Sequence, residues 1–128
     1  MTSKQLVELA QNARKKAYAP YSGFTVGAAV LCADGSVFCG CNVENASFSP
    51  TCCAERVAIF KAVSEGKKDF SAVAVVGGKE GDKTDAKCFP CGVCRQVMSE
   101  FFSPETKIIY SDESESTLGE LLPNCFAL

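Results

Sequence analysis

Thr51-Cys52-Cys53-Ala54-Glu55-Arg56 and Phe89-Pro90-Cys91-Gly92-Val93-Cys94-Arg95-Gln96 are the two stretches around which this chain is organised. Each reads as the mouth of a helix. Behind Cys53 come Val57, Ala58, Phe60 and Ala62, an apolar set that stops at Gly66. Behind Pro90 come Val93, Val97, Met98, Phe101 and Phe102, predicted to face inward. Working outward, Phe24 to Leu31 suits a strand buried on both faces. The Asp34-Gly35 turn then returns Ser36 to Cys41 as its antiparallel partner. Phe70 to Val76 reads as a second buried strand closed by Gly77-Gly78, and Lys79 to Lys87 as a charged surface loop. Lys107 to Tyr110 is a short strand, Leu118 to Leu122 a helical turn, and Pro123 to Leu128 a tail. At the front, Thr2 and Gln5 form a capping box, and Leu6, Leu9, Ala10, Ala13 and Ala17 make a helical stripe ended by Pro20. Strands alternate with helices after an initial antiparallel pair. The pattern predicts a single α/β domain over 1–128, a three-layer α/β/α arrangement with a mixed sheet of about five strands.

At 128 residues one core suffices without staples. A net charge of −2 supplies no basic surface, so no nucleic-acid partner is expected. No apolar run approaches the ~20 residues of a membrane helix, and Met1 to Ala17 lacks the cationic-then-apolar order of a signal peptide. The expectation is a cytoplasmic protein without a membrane partner. Nine cysteines are the anomaly. Their odd number and the absence of an export signal favour metal ligands or catalytic thiols over disulfides. The chain has no histidine, so any transition-metal site must be built from sulfur and carboxylate, and no Ser-His or Cys-His pair can form.

Cys53, Cys91 and Cys94 are the candidate ligands of one zinc ion. A catalytic zinc keeps three protein ligands and an open position for water. Cys91 and Cys94, three apart early in a helix, share a face, and both helix mouths favour the metal-binding thiolate. Glu55 is left free to move protons, provided Cys53 stands at the helix entrance, because residues two apart within a helix do not face each other. Arg56, three after Cys53, can face the same sulfur. Three thiolates and Zn²⁺ sum to −1, and a guanidinium offsets part of that charge. Arg95 is a weaker candidate for the same role. On spacing alone, C-x-x-C also suits a redox pair or a closed structural site completed by Cys88 or Cys52, but that leaves Glu55 and Arg56 without a role. Cys32, Cys39 and Cys41 read as small buried hydrophobes.

Cys-Ala-Glu-Arg followed by Pro-Cys-Gly-x-Cys-Arg-Gln resembles the small homotetrameric zinc-dependent cytidine deaminases. The resemblance extends from Tyr18-Ala19-Pro20-Tyr21-Ser22 through Gly27-Ala28-Ala29 and Asn42-Val43-Glu44-Asn45-Ala46 to Leu121-Leu122-Pro123. It implies hydrolysis of cytidine or deoxycytidine to uridine or deoxyuridine and ammonia, with one zinc per subunit. Metal-activated water would attack C4 while Glu55 protonates N3 and then the leaving amine. It further implies that Phe24 packs on the nucleoside, Asn42 and Glu44 hold the ribose hydroxyls, and the Ala54 backbone helps bind the base. Ala46 and Phe48 would reach a neighbouring subunit's site, and Phe126 would be an aromatic offered by another subunit. Independently, Asn42 and Glu44 are two apart and in extended chain project to one side. Phe48 stands where the family commonly has tyrosine, which removes a hydroxyl, and the chain ends soon after Phe126. A blasticidin-type deaminase shares Cys-Ala-Glu and Pro-Cys-x-x-Cys; Asn42 to Asn45 and Arg56 favour the cytidine enzyme. A non-catalytic zinc-binding interaction module is the alternative from another class.

Overall fold

In a computed structural model, which describes residues 1–84 and 86–128, the two motifs do open helices on one face of a sheet. The elements in chain order are α1 (Ser3–Arg14), β1 (Phe24–Cys32), β2 (Val37–Cys41), α2 (Ala54–Ser64), β3 (Phe70–Lys79), α3 (Gly92–Phe101), β4 (Lys107–Ile109), β5 (Glu115–Thr117) and α4 (Leu118–Leu121). The sheet order is β2-β1-β3-β4-β5. β1 is antiparallel to both neighbours, β3 and β4 are parallel across α3, and β5 returns antiparallel. The predicted mixed sheet of five strands is therefore present.

Period-two alternation along β1 and β3 divides the core into two layers. On one face Leu6, Val7 and Ala10 of α1 meet Ala29, Ala72, Ala74, Val76 and Ile109. On the other, Ala28, Val30, Val73, Val75 and Ile108 meet Ala58, Ile59 and Ala62 of α2 and Cys94 and Met98 of α3. Two glycines set how closely helices approach. A Cβ on Gly27 would fall 2.0 Å from the Ala10 carbonyl oxygen, and one on Gly40 would fall 2.6 Å from the Ala54 oxygen and the Ala58 nitrogen. Gly40 thus lets the first turn of α2 lie directly on the edge strand. Lys61 adds a tie, donating from Nζ to the Cys39 carbonyl at 2.7 Å.

The capping box of α1 forms as predicted, with Gln5 N–H donating to Thr2 Oγ1 and Thr2 N–H to Gln5 Oε1. α1 stops at Arg14, short of the predicted reach to Ala17. Lys16 and Ala17 make three-residue turns onto Ala13 and Arg14, and Tyr18 is drawn out of the helix by its bridge to Val43. β3 does not end at Gly77-Gly78 but runs on to Lys79, pairing Gly77 with Val26 and Gly78 with Thr25. Gly77 is there because the space above it is filled: a Cβ would meet Cys88 Sγ at 2.8 Å and the Phe24 ring at 3.0 Å. The predicted loop therefore begins after Lys79, and its Asp85 lies outside the described residues. In α3 Val93 is exposed rather than inward, since Cys94 and Met98 take the buried face. β5 is a polar three-residue edge strand, Glu-Ser-Thr, with no apolar signal to announce it. Phe102 is buried and packs on Phe70, as does the half-buried Phe101. Among the described residues no helix is long and apolar enough to cross a membrane.

Candidate active site

Cys53 is the N-cap of α2 and Cys91 the N-cap of α3, both in extended backbone and neither using its side chain to cap. Their sulfurs remain free to point past the first turns. The Sγ atoms of Cys53 and Cys91 lie 3.9 Å apart, and those of Cys53, Cys91 and Cys94 are all within 4.8 Å of one another. A tetrahedral zinc about 2.3 Å from each sulfur needs sulfur separations of about 3.8 Å. The trio fits such an ion. Cys52 and Cys88 are not in this cluster. Burial and the nearby Glu55 and Cys53 charges push the Cys88 thiol up to about 11, so it stays protonated.

The N-cap position of Cys53 also settles the placement of Glu55, whose carboxyl belongs to the first turn and is only 3% exposed. Burial pushes its pKa up to about 7, and the Cys53 charge pushes the same way. Cys53 is drawn down to about 5 by the hydrogen bond it accepts from Cys94 and, against burial, by Arg56. Cys94 moves the opposite way, its proton held by that same bond and by burial. Arg56 Nη2 donates to Cys53 Sγ at 3.4 Å and to the Thr51 carbonyl at 3.5 Å, as the three-residue spacing predicts. Arg95 does not join it. Its Nε donates to the Pro90 carbonyl at 2.8 Å and its Nη1 to the Leu121 carbonyl at 2.9 Å, because α3 carries this side chain back over its own entrance.

Asn42 follows β2 and is buried at the β1 edge. Its Oδ1 accepts from Val26 N–H at 2.8 Å and its Nδ2 donates to the Phe24 carbonyl at 2.9 Å, imitating a ladder partner. Glu44 turns instead to the loop before β1. One carboxylate oxygen accepts from Tyr21 and Ser22 N–H at 3.0 and 3.1 Å, the other from the Ser22 hydroxyl, which holds its pKa below the usual carboxylate range. Ser22 Oγ in turn accepts from Phe24 N–H at 3.0 Å. Sequence reasoning gave Ser22 no role, although it lay within a motif already singled out; a lone serine between turn residues carries no spacing signal. Glu44, Ser22, Tyr21, Asn45, Phe48 and Thr51 line an open cavity of about 250 Å³. Ala54 is fully buried and Phe24 is partly exposed, while Ala46, Phe48 and Phe126 lie on open surface. The three sulfurs form a possible cation site with a buried carboxyl at the same helix mouth, and the cavity edged by the Glu44 carboxylate and the Asn45 amide has none of these groups in its lining.

Residues 1–111 match the family model described as the cytidine and deoxycytidylate deaminase zinc-binding region. The chain is 48% identical over 130 residues to a cytidine deaminase of Halalkalibacterium halodurans, covering 98% of this chain and 95% of that one. A cytidine deaminase of Sporosarcina psychrophila is 44% identical over 131 residues, with 99% and 93% covered. The crystal structure of cytidine deaminase from Burkholderia pseudomallei superposes with a TM-score of 0.89 at 47% identity, covering 98% of this chain and all of that one. A match over most of the chain and identities near one half leave one assignment: this chain belongs to the cytidine and deoxycytidylate deaminase family.

Proposed function

We propose that the chain hydrolyses the exocyclic amine of cytidine and deoxycytidine as free nucleosides, releasing ammonia. The observation that carries this reading is the buried Glu55 carboxyl at the mouth of a helix whose N-cap sulfur converges with two others. Cys53, Cys91 and Cys94 would hold the zinc, and bound zinc supplies Lewis acidity toward the water at its open position. Glu55 takes a proton from the attacking water, gives it to N3 of the pyrimidine, and returns the second to the departing amine. A carboxyl with raised proton affinity suits both directions of transfer. Arg56 offsets the sulfur charge.

Asn42 has one amide hydrogen left after its two bonds to β1, and Glu44 retains lone-pair capacity beyond its three donors. Each therefore keeps a site for a ribose hydroxyl, and Glu44 lines the cavity. Phe24 offers its ring to the nucleoside, and the Ala54 backbone contacts the base. Ala46, Phe48 and Phe126, all exposed, would be completed by neighbouring copies in a homotetramer with shared sites. Pyrimidine salvage in the cytoplasm is the setting we infer.

The test is ammonia release and loss of nucleoside absorbance on adding cytidine or deoxycytidine to the zinc-loaded protein, with sedimentation run at the same concentration. Turnover of both nucleosides by a tetramer is expected. Zinc binding with turnover of blasticidin S alone, or of no nucleoside, would overturn the substrate assignment. A monomer that turns over cytidine would overturn the shared site.

A further inference from the structure

Arg95 is half-buried beside the cation site and does not touch its sulfurs. Its guanidinium spans two carbonyls from distant parts of the chain: Pro90, one residue before the Cys91 sulfur, and Leu121, at the end of α4. The Pro90 side chain is fully buried, so this turn has little freedom of its own. A helix entrance does not need its preceding carbonyl for the ladder; the first intrahelical bond here runs from Arg95 N–H to the Cys91 carbonyl at 3.0 Å. The Pro90 carbonyl is therefore an acceptor without a secondary-structure partner, and Arg95 supplies one. Fixing that carbonyl fixes the peptide plane between Pro90 and Cys91; with the Cys91 φ of −71° at the start of α3, this sets the direction in which the Cys91 Cα–Cβ bond leaves the backbone. The other prong reaches Leu121 O, an acceptor released by the end of the four-residue α4. A rigid planar fork suits this task, whereas an ammonium offers one point of contact.

We propose that Arg95 is a positioning residue that locks the Cys91 sulfur in its metal-binding direction by clamping the Pro90 carbonyl to the end of α4. The inference rests on the reading of Cys91 as a ligand. It makes the metal site's geometry depend on the carboxyl-terminal element, which contributes no ligand of its own. Tyr110 supports the same turn from another side: its ring, fully buried, stacks edge-on with Phe89 at 5.1 Å, and its hydroxyl donates to Ser116 on β5 at 2.9 Å.

The experiment compares the full-length zinc protein with Arg95→Met and Arg95→Lys, following transfer of zinc to a chromophoric chelator and the thiolate-to-metal bands of the cobalt-substituted protein. Partners that orient metal ligands typically alter affinity by about 10–100-fold. Arg95→Met is expected to release zinc on the order of tenfold faster or more, with shifted cobalt–thiolate bands, and Arg95→Lys to lie between it and wild type. Should Arg95→Met fail to fold, Arg95→Lys carries the comparison, and a wild-type release rate in it overturns the proposal. Lowered melting temperature with unchanged cobalt bands and zinc release would show a structural role only and also overturn it. Cys91→Ala separates the two layers of the argument: retention of stoichiometric zinc there would sink the ligand assignment itself, not merely the clamp.

Discussion

Gly40→Ala should damage the metal site from the far side of the helix that carries it. Gly40 lies on β2 opposite Ala28, and an added Cβ would sit 2.6 Å from the Ala54 oxygen and the Ala58 nitrogen and 3.0 Å from Val57 Cβ. Both of the closest atoms are backbone, so no side chain can rotate away. Ordinary contact requires at least about 3.4 Å, and α2 must retreat by about 0.8 Å at its first turn. That turn carries Cys53, Glu55 and Arg56, while Cys91 and Cys94 sit on α3 and do not move with it. Overpacking of this kind costs about 1–3 kcal/mol, or roughly 5–10 °C in melting temperature for a domain of this size. The displacement is comparable to the tolerance of a catalytic constellation, where about 1 Å can cost on the order of 100-fold in rate. Gly27→Ala is the control, since its Cβ would meet α1 at 2.0 Å on the opposite face of the sheet. The assay is chemical denaturation of both variants beside zinc release and cytidine kcat. Gly27→Ala should lose stability with zinc retention near wild type; Gly40→Ala should lose stability, zinc retention and kcat together. Wild-type zinc retention and kcat in a destabilised Gly40→Ala would refute the claim that this contact sets the height of Cys53 and Glu55.

Three further outcomes can be read independently. Cys91→Ala should lose bound zinc by elemental analysis whereas Cys88→Ala keeps it, since Cys88 stands outside the sulfur cluster and its thiol stays protonated. Asn42→Asp keeps the acceptor for Val26 N–H but turns an oxygen toward the Phe24 carbonyl; the loss should be about 1–3 kcal/mol by denaturation, with KM for cytidine raised. Ser22→Ala removes the hydroxyl bonded to Glu44, so the Glu44 pKa, followed by carboxyl NMR, should rise toward its ordinary value. Because Glu44 is held low in the folded chain, its contribution to stability is present above the ordinary glutamate range and fades as pH falls through the lowered value. In Ser22→Ala that acid-side loss should shrink.

Much of the site was legible because its residues obey local rules. C-x-x-C behind a proline, and a cysteine ahead of Glu55 and Arg56, each mark a helix mouth, and N-cap geometry then decides where the sulfurs point. The Arg56 contact follows from three-residue spacing alone. Other features depend on partners remote in sequence. The continuation of β3 through Gly77-Gly78 is dictated by Cys88 and Phe24 above it, and two glycines in a row read locally as an end. β5 consists of polar residues at an edge and becomes a strand only because β4 offers it a ladder. Arg95 shares a motif with Cys91 and Cys94, which suggests charge balance; its acceptors are two carbonyls, one of them 26 residues away. Asn42 illustrates the same limit, since an amide acting as a substitute ladder partner leaves no trace in spacing.

Proton transfer by Glu55 is tested by measuring zinc content and cytidine turnover together on Glu55→Gln. The carboxyl is buried and lies outside the cluster of three sulfurs, and the amide is close to it in size. One zinc retained per chain and turnover reduced by roughly 10²–10⁴-fold, the span of a lost general acid–base group, are expected. Zinc retained with turnover intact would contradict the assignment of proton transfer to Glu55.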